Sequence, residues 1–451
     1  MVDKAAPIIV VGGGAFGLST AHHLLNQRYT DITVFEQDTQ IPSRYAAAND
    51  LNKIMRVEYE DPWYTDLTYK ALQAWKTPLF APYFHQVGFL HCVSGAAPQR
   101  AVDTLKRFHH AATKDDRIAK HVTSVTTLSD IRDDPRSWKM PGEFPGWRGY
   151  LNKLDGYTHS ANALRGLKDH VEARGVKFII DPVAGGVSEI VYSSTDVADK
   201  TEKKTSGIRT RDGRTHKAAL VIIAAGAMAA RLVPNLAEEG GVVAKSWSVA
   251  HVHLSDNETA ALRGIPVTYA RDLGFLFEPD PATNLLKICP MGGGYVNTDK
   301  DTGISLPPTN WSETVDLLPR EDEERIRQLL RETIPALAER PLVRKSLCWF
   351  ADTADSDFVV DYVPGTEQSV VVLSADSGHG FKMFPIVGEW VAELLESREN
   401  GQTIQRWQWK DREKREDEQG KDWGSSVSWR LGGTQEFADI QRTGRPGSPK
   451  L

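Results

Sequence analysis

Three glycines near the start of the chain have the spacing of a phosphate-binding turn. Residues 12–17 read Gly-Gly-Gly-Ala-Phe-Gly, which fits the pattern G-x-G-x-x-G. Gly12 permits a tight turn, Gly14 lets the backbone approach a pyrophosphate, and Gly17 allows the next helix to pack closely on the preceding strand. Glu36 follows about 20 residues later, where a carboxylate accepts hydrogen bonds from ribose hydroxyls. The pattern predicts a dinucleotide site, and NAD and FAD both satisfy it.

The elements around these glycines are those of a β-α-β unit. Ile8–Val11 is apolar throughout and predicts a buried parallel strand, residues 15–25 predict a helix, and residues 31–35 predict a second strand. In this context a glycine-rich turn without a ligand is the weaker interpretation. Residues 220–224 and Val370–Ser374 predict further strands of the same sheet. The nucleotide-binding part is therefore expected to be assembled from distant stretches of the chain.

Size and composition exclude several classes of protein. A chain of 451 residues exceeds what one core usually spans, so two domains are expected. A balance of 54 basic and 60 acidic residues gives no footprint for nucleic acid. Cys92, Cys289 and Cys348 are far apart, which argues against a disulfide framework or thiolate zinc site and fits a reducing compartment. No apolar run approaches the roughly 20 residues that cross a bilayer, so no membrane association is expected. The histidines lack the carboxylate partners of a metal site, and no metal is expected.

The patterns of strands and helices predict an α/β protein of two interleaved domains. The nucleotide-binding domain is assigned to residues 1–60, 150–240 and 340–400, and the substrate domain to residues 61–149 and 241–339. The second domain contains predicted helices at 64–78, 98–112 and Arg320–Thr333, and alternating strands at 246–254, 274–278 and 285–289. Residues 194–205 predict a hairpin tip, and residues 401–451 a tail that packs over the body.

Six features in a fixed order carry a likeness to a known family. They are GGGAFG at 12–17, Glu36, NDLNKIMR at 49–56, FEPD and LKIC within 277–289, LCWFADTADSDFVVD at 347–361, and SGHGFK at 377–382. The chain resembles monomeric sarcosine oxidase, the pipecolate oxidases and the fructosyl amino acid oxidases (amadoriases), from about residue 7 to about 400. The resemblance implies a Rossmann-like FAD-binding domain and an interleaved antiparallel-sheet substrate domain, as in glutathione reductase and D-amino-acid oxidase. It also implies a monomer.

The resemblance gives two residues roles at the flavin. Cys348 matches the cysteine that carries FAD through an 8α-S-cysteinyl thioether, although a lone cysteine more often predicts a small core residue. Lys287 matches the lysine that assists O₂ at the flavin N5 edge, where a fixed positive charge stabilises developing superoxide. Its apolar neighbours on both sides favour a cation held inside rather than on a solvated face.

The resemblance also implies how the substrate is bound. Arg56 and Lys382 match the pair that grips the substrate carboxylate. Lys53 stands where sarcosine oxidase has an arginine facing the flavin, although Lys53 and Arg56 by themselves also fit an exposed basic pair. His379 is expected to be structural within a turn whose backbone N–H groups face the flavin. The catalytic set is Lys53, Arg56, Lys287 and Lys382; the cofactor-binding set is Gly12, Gly14, Ala15, Phe16, Gly17, Glu36, Asn52, Lys53, Cys348, Gly378, His379, Gly380, Phe381 and Lys382.

Two departures from the family pattern bear on the substrate. Met291 stands where fructosyl amino acid oxidases have an acidic residue that meets sugar hydroxyls, and Gly380 stands where they commonly have serine. The expected activity is therefore FAD-dependent oxidation of a small secondary-amine amino acid (an N-methyl amino acid, pipecolate or a related amine) to an imine, with O₂ reduced to H₂O₂. The alternatives are a fructosyl amino acid oxidase, a saccharopine oxidase, a dehydrogenase, or a flavin-binding protein without catalysis. The ending Pro449-Lys450-Leu451 resembles a peroxisomal address, so the expected location is peroxisomal or cytoplasmic.

Overall fold

A six-stranded sheet is built from segments far apart in the chain. In this computed structural model, which describes residues 2–134, 139–193, 203–238, 241–397, 401–410 and 432–440, its strands run parallel except for the last pair. Their order is β9 (Lys177–Ile180), β2 (Ile32–Glu36), β1 (Ile8–Val11), β13 (Leu220–Ile223), β21 (Val370–Ser374) and β20 (Val359–Tyr362). The strands predicted near residues 8, 32, 220 and 370 thus lie side by side.

A larger, mostly antiparallel sheet forms the second layer. Its order is β6 (Val122–Val125), β7 (Arg148–Asn152), β5 (Phe89–Val93), β15 (Val267–Ala270), β16 (Gly274–Leu276), β17 (Leu285–Pro290), β14 (Val243–His253), β18 (Tyr295–Val296) and β22 (Gln435–Glu436), and β19 (Leu342–Asp352) also pairs with β14. Because β19 belongs to this sheet, the chain crosses between the two layers inside the stretch 340–400, which the sequence assigned to the nucleotide-binding domain. The division into two domains stays a proposal.

Two three-stranded sheets and the helices complete the described fold. One small sheet contains β10 (Val187–Tyr192), β11 (Thr205–Thr210) and β12 (Thr215–Lys217), and the other contains β3 (Lys53–Met55), β8 (Gly156–Thr158) and β4 (Phe84–His85). The helices are α1 (Ala15–Asn26), α2 (Pro62–Trp75), α3 (Gln99–Lys114), α4 (Asp116–Ala119), α5 (Leu128–Asp133), α6 (Ser160–Ala173), α7 (Ala229–Leu232), α8 (Asn235–Glu238), α9 (Asp256–Leu262), α10 (Arg320–Thr333) and α11 (Val387–Glu396). In the described ranges, none of these helices is both long and apolar enough to span a bilayer.

The core follows the period of the strands. Alternate residues of β1, Ile8 and Val10, pack into the cluster that holds α1 and α11, whereas Ile9 and Val11 face the opposite side. Burial on both faces explains why this strand is apolar throughout. The close approach of α1 and α11 requires glycine at position 388, because a Cβ there would lie 2.1 Å from the Ser19 carbonyl oxygen. This packing holds the first turn of α1 at the end of β1.

The C-terminal part is described only in two stretches. Trp407 is buried against Trp390, with ring centroids 4.3 Å apart, and residues 435–436 add a strand to the large sheet. Most of residues 401–451 lie outside the described ranges, so the predicted tail stays a prediction. The Pro449-Lys450-Leu451 ending and most of the predicted hairpin tip at 194–205 lie outside the described residues.

Candidate active site

The glycine turn after β1 has the geometry that its spacing predicts. Gly12 has a φ of 110°, and a Cβ there would lie 2.4 Å from the Ala224 carbonyl oxygen. A Cβ at Gly17 would lie 1.9 Å from the Gly12 carbonyl oxygen, so α1 can pack on β1 only if this residue is glycine. At Gly14, the N-cap of α1, a Cβ would meet nothing closer than Ala46, at 3.9 Å. No side chain caps the helix there, so its first N–H groups and the open space at Gly14 fit a pyrophosphate.

Glu36 lies at the end of β2 beside this turn. Its carboxylate accepts hydrogen bonds from the Gly13 backbone N–H at 2.9 Å and from the Asp38 N–H at 3.0 Å. Burial raises the pKa of this carboxyl above its ordinary value, and the two N–H donors oppose that rise. A buried acceptor next to an open phosphate cradle fits ribose hydroxyls, so these residues together fit a dinucleotide.

One cavity joins the glycine turn to the predicted catalytic residues. Of the predicted site residues, those that line it are Gly12, Gly14, Ala15, Phe16, Glu36, Lys53, Arg56, Lys287, Cys348, Gly378, His379, Gly380, Phe381 and Lys382. Gly17 and Asn52 do not line it; Gly17 acts in helix packing, and the Asn52 carbonyl oxygen accepts from Lys287. Trp247 and Trp349 also line the cavity, and their buried indole N–H groups have no acceptor among the described residues. The cavity wall therefore offers hydrogen-bond donors that a bound group can use.

Lys287 lies inside the protein and is held by a carboxylate. It belongs to β17, is 2% exposed, and donates to the Asn52 carbonyl oxygen at 2.7 Å. Its ammonium group also forms an ion pair with Asp50, which in turn lies 2.9 Å from the Lys53 ammonium. Burial would raise the pKa of Asp50, but the two lysines outweigh it and hold that pKa well below its usual range. Two ammonium groups thus share one ionised carboxylate.

Cys348 lies on β19 beside Lys53. The Lys53 ammonium is 3.8 Å from the Cys348 sulfur, and the sulfur lies 3.5 Å from the Ala47 carbonyl oxygen. Burial raises the pKa of the Cys348 thiol, and the positive charge of Lys53 opposes this rise. For Lys53, burial lowers the pKa, but Asp50 and the cysteine outweigh it and raise the pKa above its ordinary value. Lys53 is therefore a fixed cation at the sulfur, and not one of an exposed basic pair.

Arg56 and Lys382 come together from distant segments around the Tyr59 ring. The Arg56 guanidinium carbon is 4.3 Å and the Lys382 ammonium 5.6 Å from the ring centroid. Arg56 donates to the Glu58 carbonyl oxygen, and Lys382 donates to the His379 carbonyl oxygen at 3.0 Å. Burial, and to a lesser degree Arg56, holds the pKa of Lys382 well below its ordinary value. Neither basic side chain forms an ion pair with a carboxylate of the described chain, which leaves both available to an acidic ligand.

The turn that follows β21 is fixed by its histidine. The His379 ring nitrogens are 3.0 Å from the Tyr59 hydroxyl and 2.9 Å from the Ser356 carbonyl oxygen, which fits the structural role expected of it. A Cβ at Gly380 would lie 2.6 Å from the Asp376 Cβ. This chain therefore has no room for a side chain at Gly380, where the resemblance to fructosyl oxidases implies a serine. The second departure, Met291, lines the cavity and accepts from the Tyr269 hydroxyl at 3.2 Å.

The sequence-based reasoning missed two charged residues. Asp50 lies three residues before Lys53 in the NDLNK segment, and that spacing was an available signal. Arg271 follows β15 and is 1% exposed, yet it lines the same cavity. An arginine between two short strands predicts a surface turn, so no local pattern reveals its burial.

Comparisons with known proteins agree with this geometry. Residues 7–394 match the family of FAD dependent oxidoreductases. The chain is 31% identical over 438 residues to L-saccharopine oxidase of Schizosaccharomyces pombe, with 94% of this chain and 95% of the relative covered. It is 23% identical to monomeric sarcosine oxidase of Bacillus sp., with 86% and 91% covered. The solved structure of fructosamine oxidase (amadoriase II) of Aspergillus fumigatus matches with a TM-score of 0.84 at 29% identity, covering 98% of both chains. The predicted likeness to sarcosine oxidases and amadoriases, and the predicted fold class, are confirmed.

Proposed function

The chain belongs to the FAD-dependent oxidoreductase family, and we propose that it is an oxidase of secondary-amine amino acids with O₂ as electron acceptor. The observation that carries this proposal is the pair of buried basic side chains, Arg56 and Lys382, in the same cavity as the glycine turn and Lys287. A buried cation without a counter-ion is costly, so a carboxylate ligand is the natural partner.

The glycine turn, the N-terminus of α1 and Glu36 would hold the dinucleotide part of FAD. The chemistry that bound FAD supplies is acceptance of a hydride from the carbon beside the amine nitrogen and transfer of the electrons to O₂, which leaves an imine and hydrogen peroxide. The protein's own residues bind the acid group, orient the amine and supply fixed charge. The requirement for FAD follows from the family, whereas the substrate class is part of the proposal.

Arg56 and Lys382 fix the direction of the substrate carboxylate. Arg56 is stacked on Tyr59 and held by the Glu58 carbonyl oxygen, so its guanidinium is oriented before the ligand arrives. Lys382 has its pKa lowered in the free protein, and a carboxylate beside it would favour the charged form. Binding therefore completes an ion pair at the buried Lys382 side chain.

Lys287 supplies positive charge for the reaction with O₂. Two lysines share one carboxylate, Asp50, so the cluster keeps a net positive charge when all three groups are ionised. A preorganised cation lowers the cost of transferring the first electron to O₂, because it stabilises the anion that forms. Asp50 positions both ammonium groups but neutralises only one of their two positive charges.

Three finer proposals concern attachment, location and assembly. Cys348 is the residue that would carry FAD through the 8α thioether, supported by its place in the cavity wall and by the Lys53 cation 3.8 Å from its sulfur. The proposed location is peroxisomal, supported by the likeness to peroxisomal sarcosine oxidase of Homo sapiens, with the cytoplasm as the alternative. A small-molecule amine and O₂ are the expected partners of a monomer.

Release of peroxide from a panel of amines tests the proposed function. We expect N-methyl amino acids or L-pipecolate to be oxidised faster than fructosyl-glycine, because Met291 replaces the acidic residue that would bind the sugar. Saccharopine belongs in the panel, since a relative is named for it. Faster oxidation of fructosyl-glycine would overturn the substrate preference, and no peroxide from any amine would overturn the oxidase assignment.

A variant pair tests the carboxylate site. Lys382→Met should lower kcat/KM by about 30-fold, the value of one charge-assisted hydrogen bond. Lys106→Met is the matched control, because Lys106 lies on the surface with its side chain 69% exposed. Equal effects of the two substitutions would contradict the proposed role of Lys382.

A further inference from the structure

Arg271 is a buried cation whose charge has no partner among the described residues. It is 1% exposed, lines the cavity, and its guanidinium carbon lies 5.2 Å from the Phe108 ring centroid and 5.8 Å from that of Tyr269. No carboxylate of the described chain forms an ion pair with it. Burial, together with repulsion from Arg56, lowers the pKa of Arg271. Such a group is expensive to bury unless something else in the site binds it.

The donors that Arg271 leaves free form one edge of the guanidinium. Its Nη1 lies 3.2 Å from His91 Nε2, whereas Nε and Nη2 are buried and have no acceptor in the described structure. Nε and Nη2 are the pair that makes two parallel hydrogen bonds to a carboxylate. The unused edge is therefore the one suited to a planar acid group.

A chain of hydrogen bonds holds this edge in place. Because arginine can only donate, His91 accepts at Nε2 and donates from Nδ1 to the Tyr150 hydroxyl, 2.8 Å away. Tyr150 then donates to Glu58 at 2.9 Å. Burial lowers the pKa of His91 to about 3, so the ring is neutral at pH 7 and available as an acceptor. Arg271 is thus oriented by one side of its guanidinium and open on the other.

Arg271 also lies near Arg56, one of the two residues proposed to bind the substrate carboxylate. The Arg56 guanidinium carbon is 4.7 Å from the Phe108 ring centroid, and Arg271 contacts the same ring. Arg56 and Lys382 both contact the Tyr59 ring. Because each pair shares a ring, Arg56 lies within about 10 Å of Arg271 and within about 10 Å of Lys382. One carboxylate on Arg56 and Lys382 leaves the Arg271 edge unfilled.

We infer that Arg271 is a specificity-determining residue that binds a second acid group, so that the substrates of this oxidase are secondary amines with a carboxylate on each side of the nitrogen. This inference rests on the proposed function and narrows its substrate class to N-(carboxyalkyl) amino acids. Neutral N-alkyl amino acids would occupy the same site with the Arg271 edge unpaired.

Matched acids and amides test the inference on the holoenzyme. N-(carboxyalkyl)glycines with one to four methylene groups would be compared with the corresponding carbamoyl compounds, which have the same shape but no charge. For the best chain length, kcat/KM should be about 30-fold higher for the acid than for the amide. Arg271→Met should reduce this ratio to about threefold or less, and Arg271→Lys, which keeps the charge but loses the bidentate edge, should give an intermediate ratio.

Binding of thioether analogues provides a readout that needs no turnover. In calorimetry, a dicarboxylate with sulfur in place of the amine should bind more tightly than its monoamide, and Arg271→Met should remove most of the difference. If Arg271→Met weakened acids and amides equally, Arg271 would serve the first carboxylate or the fold, and the inference would be wrong. A ratio that stayed at its wild-type value would refute it as well. If no amine were oxidised, the proposed function would fail, while the binding ratio would still decide the role of Arg271.

Discussion

Replacing Lys287 by methionine tests the source of reactivity towards O₂. The substitution removes the buried ammonium group but does not strand its partner, because Asp50 keeps the Lys53 ammonium at 2.9 Å. Methionine has similar length and fits apolar surroundings. We therefore expect Lys287→Met to fold and to retain FAD, so that any change in rate can be attributed to the lost charge.

The magnitude follows from the cost of an unstabilised anion. Removing one preorganised donor from such a site typically costs about 2.7–4 kcal/mol, or 10²–10³ in rate. Stopped-flow measurement of the reoxidation of reduced enzyme by O₂ should show this loss, while anaerobic reduction by substrate should change much less. Lys287→Arg, which keeps a positive charge, should recover part of the rate. A reoxidation rate within threefold of wild type in Lys287→Met would show that Lys287 is not the source of the charge.

Four further predictions concern the same cavity. Asp50→Asn leaves two buried ammonium groups without their carboxylate and should lower the free energy of unfolding by about 3–5 kcal/mol at pH 7; because the folded-state pKa of Asp50 is depressed, this loss should shrink in urea titrations as the pH falls below about 4. Cys348→Ala should release FAD on acid precipitation, whereas the wild-type pellet should stay yellow; a colourless wild-type pellet would contradict the thioether. Gly17→Ala should abolish folding or FAD binding, because its Cβ would lie 1.9 Å from the Gly12 carbonyl oxygen. Gly14→Ala should fold and lose only FAD affinity. Equal melting temperatures of the two variants would contradict this prediction. Binding of a carboxylate should raise the lowered pKa of Lys382 and take up protons, which calorimetry in buffers of different ionisation enthalpy measures; no uptake would show that Lys382 is already charged.

Local patterns predicted the parts of the fold that depend on local physics. The apolar run of β1, the glycine spacing after it and the position of Glu36 are properties of a short stretch, and the structure has them as expected. The helix Arg320–Thr333 also has its predicted bounds, since its charged face and apolar positions repeat with the helical period. Pairing between distant strands is different. The sequence of β19 does not show that it pairs with β14, so the position at which the chain crosses between the two sheets could not be predicted.

The site residues also differ in whether a local sequence pattern could identify them. Cys348, Lys287 and Lys382 were identified because each lies in a segment that resembles a family, and the cavity brings them together. The spacing of Asp50 to Lys53 was visible in the sequence, but its contact with Lys287, 237 positions away, was not. Arg271 was missed because its contact with His91 spans 180 positions. Charge on a loop predicts solvent exposure unless packing is known.

The charges around Lys287 and those around Arg56 differ in how far nearby carboxylates neutralise them, and this difference suits them to different roles. Around Lys287, one ionised Asp50 offsets one of two ammonium groups, so the charge is fixed before any ligand binds. Around Arg56 the positive charges exceed the negative ones: burial and the neighbouring Glu58 raise the pKa of Asp155 far above its ordinary value, which leaves Glu58 as the ionised carboxyl. An anionic ligand relieves the second group much more than the first. Under the proposed function, this difference would draw substrate carboxylates to the Arg56 side and leave the Lys287 side free for O₂.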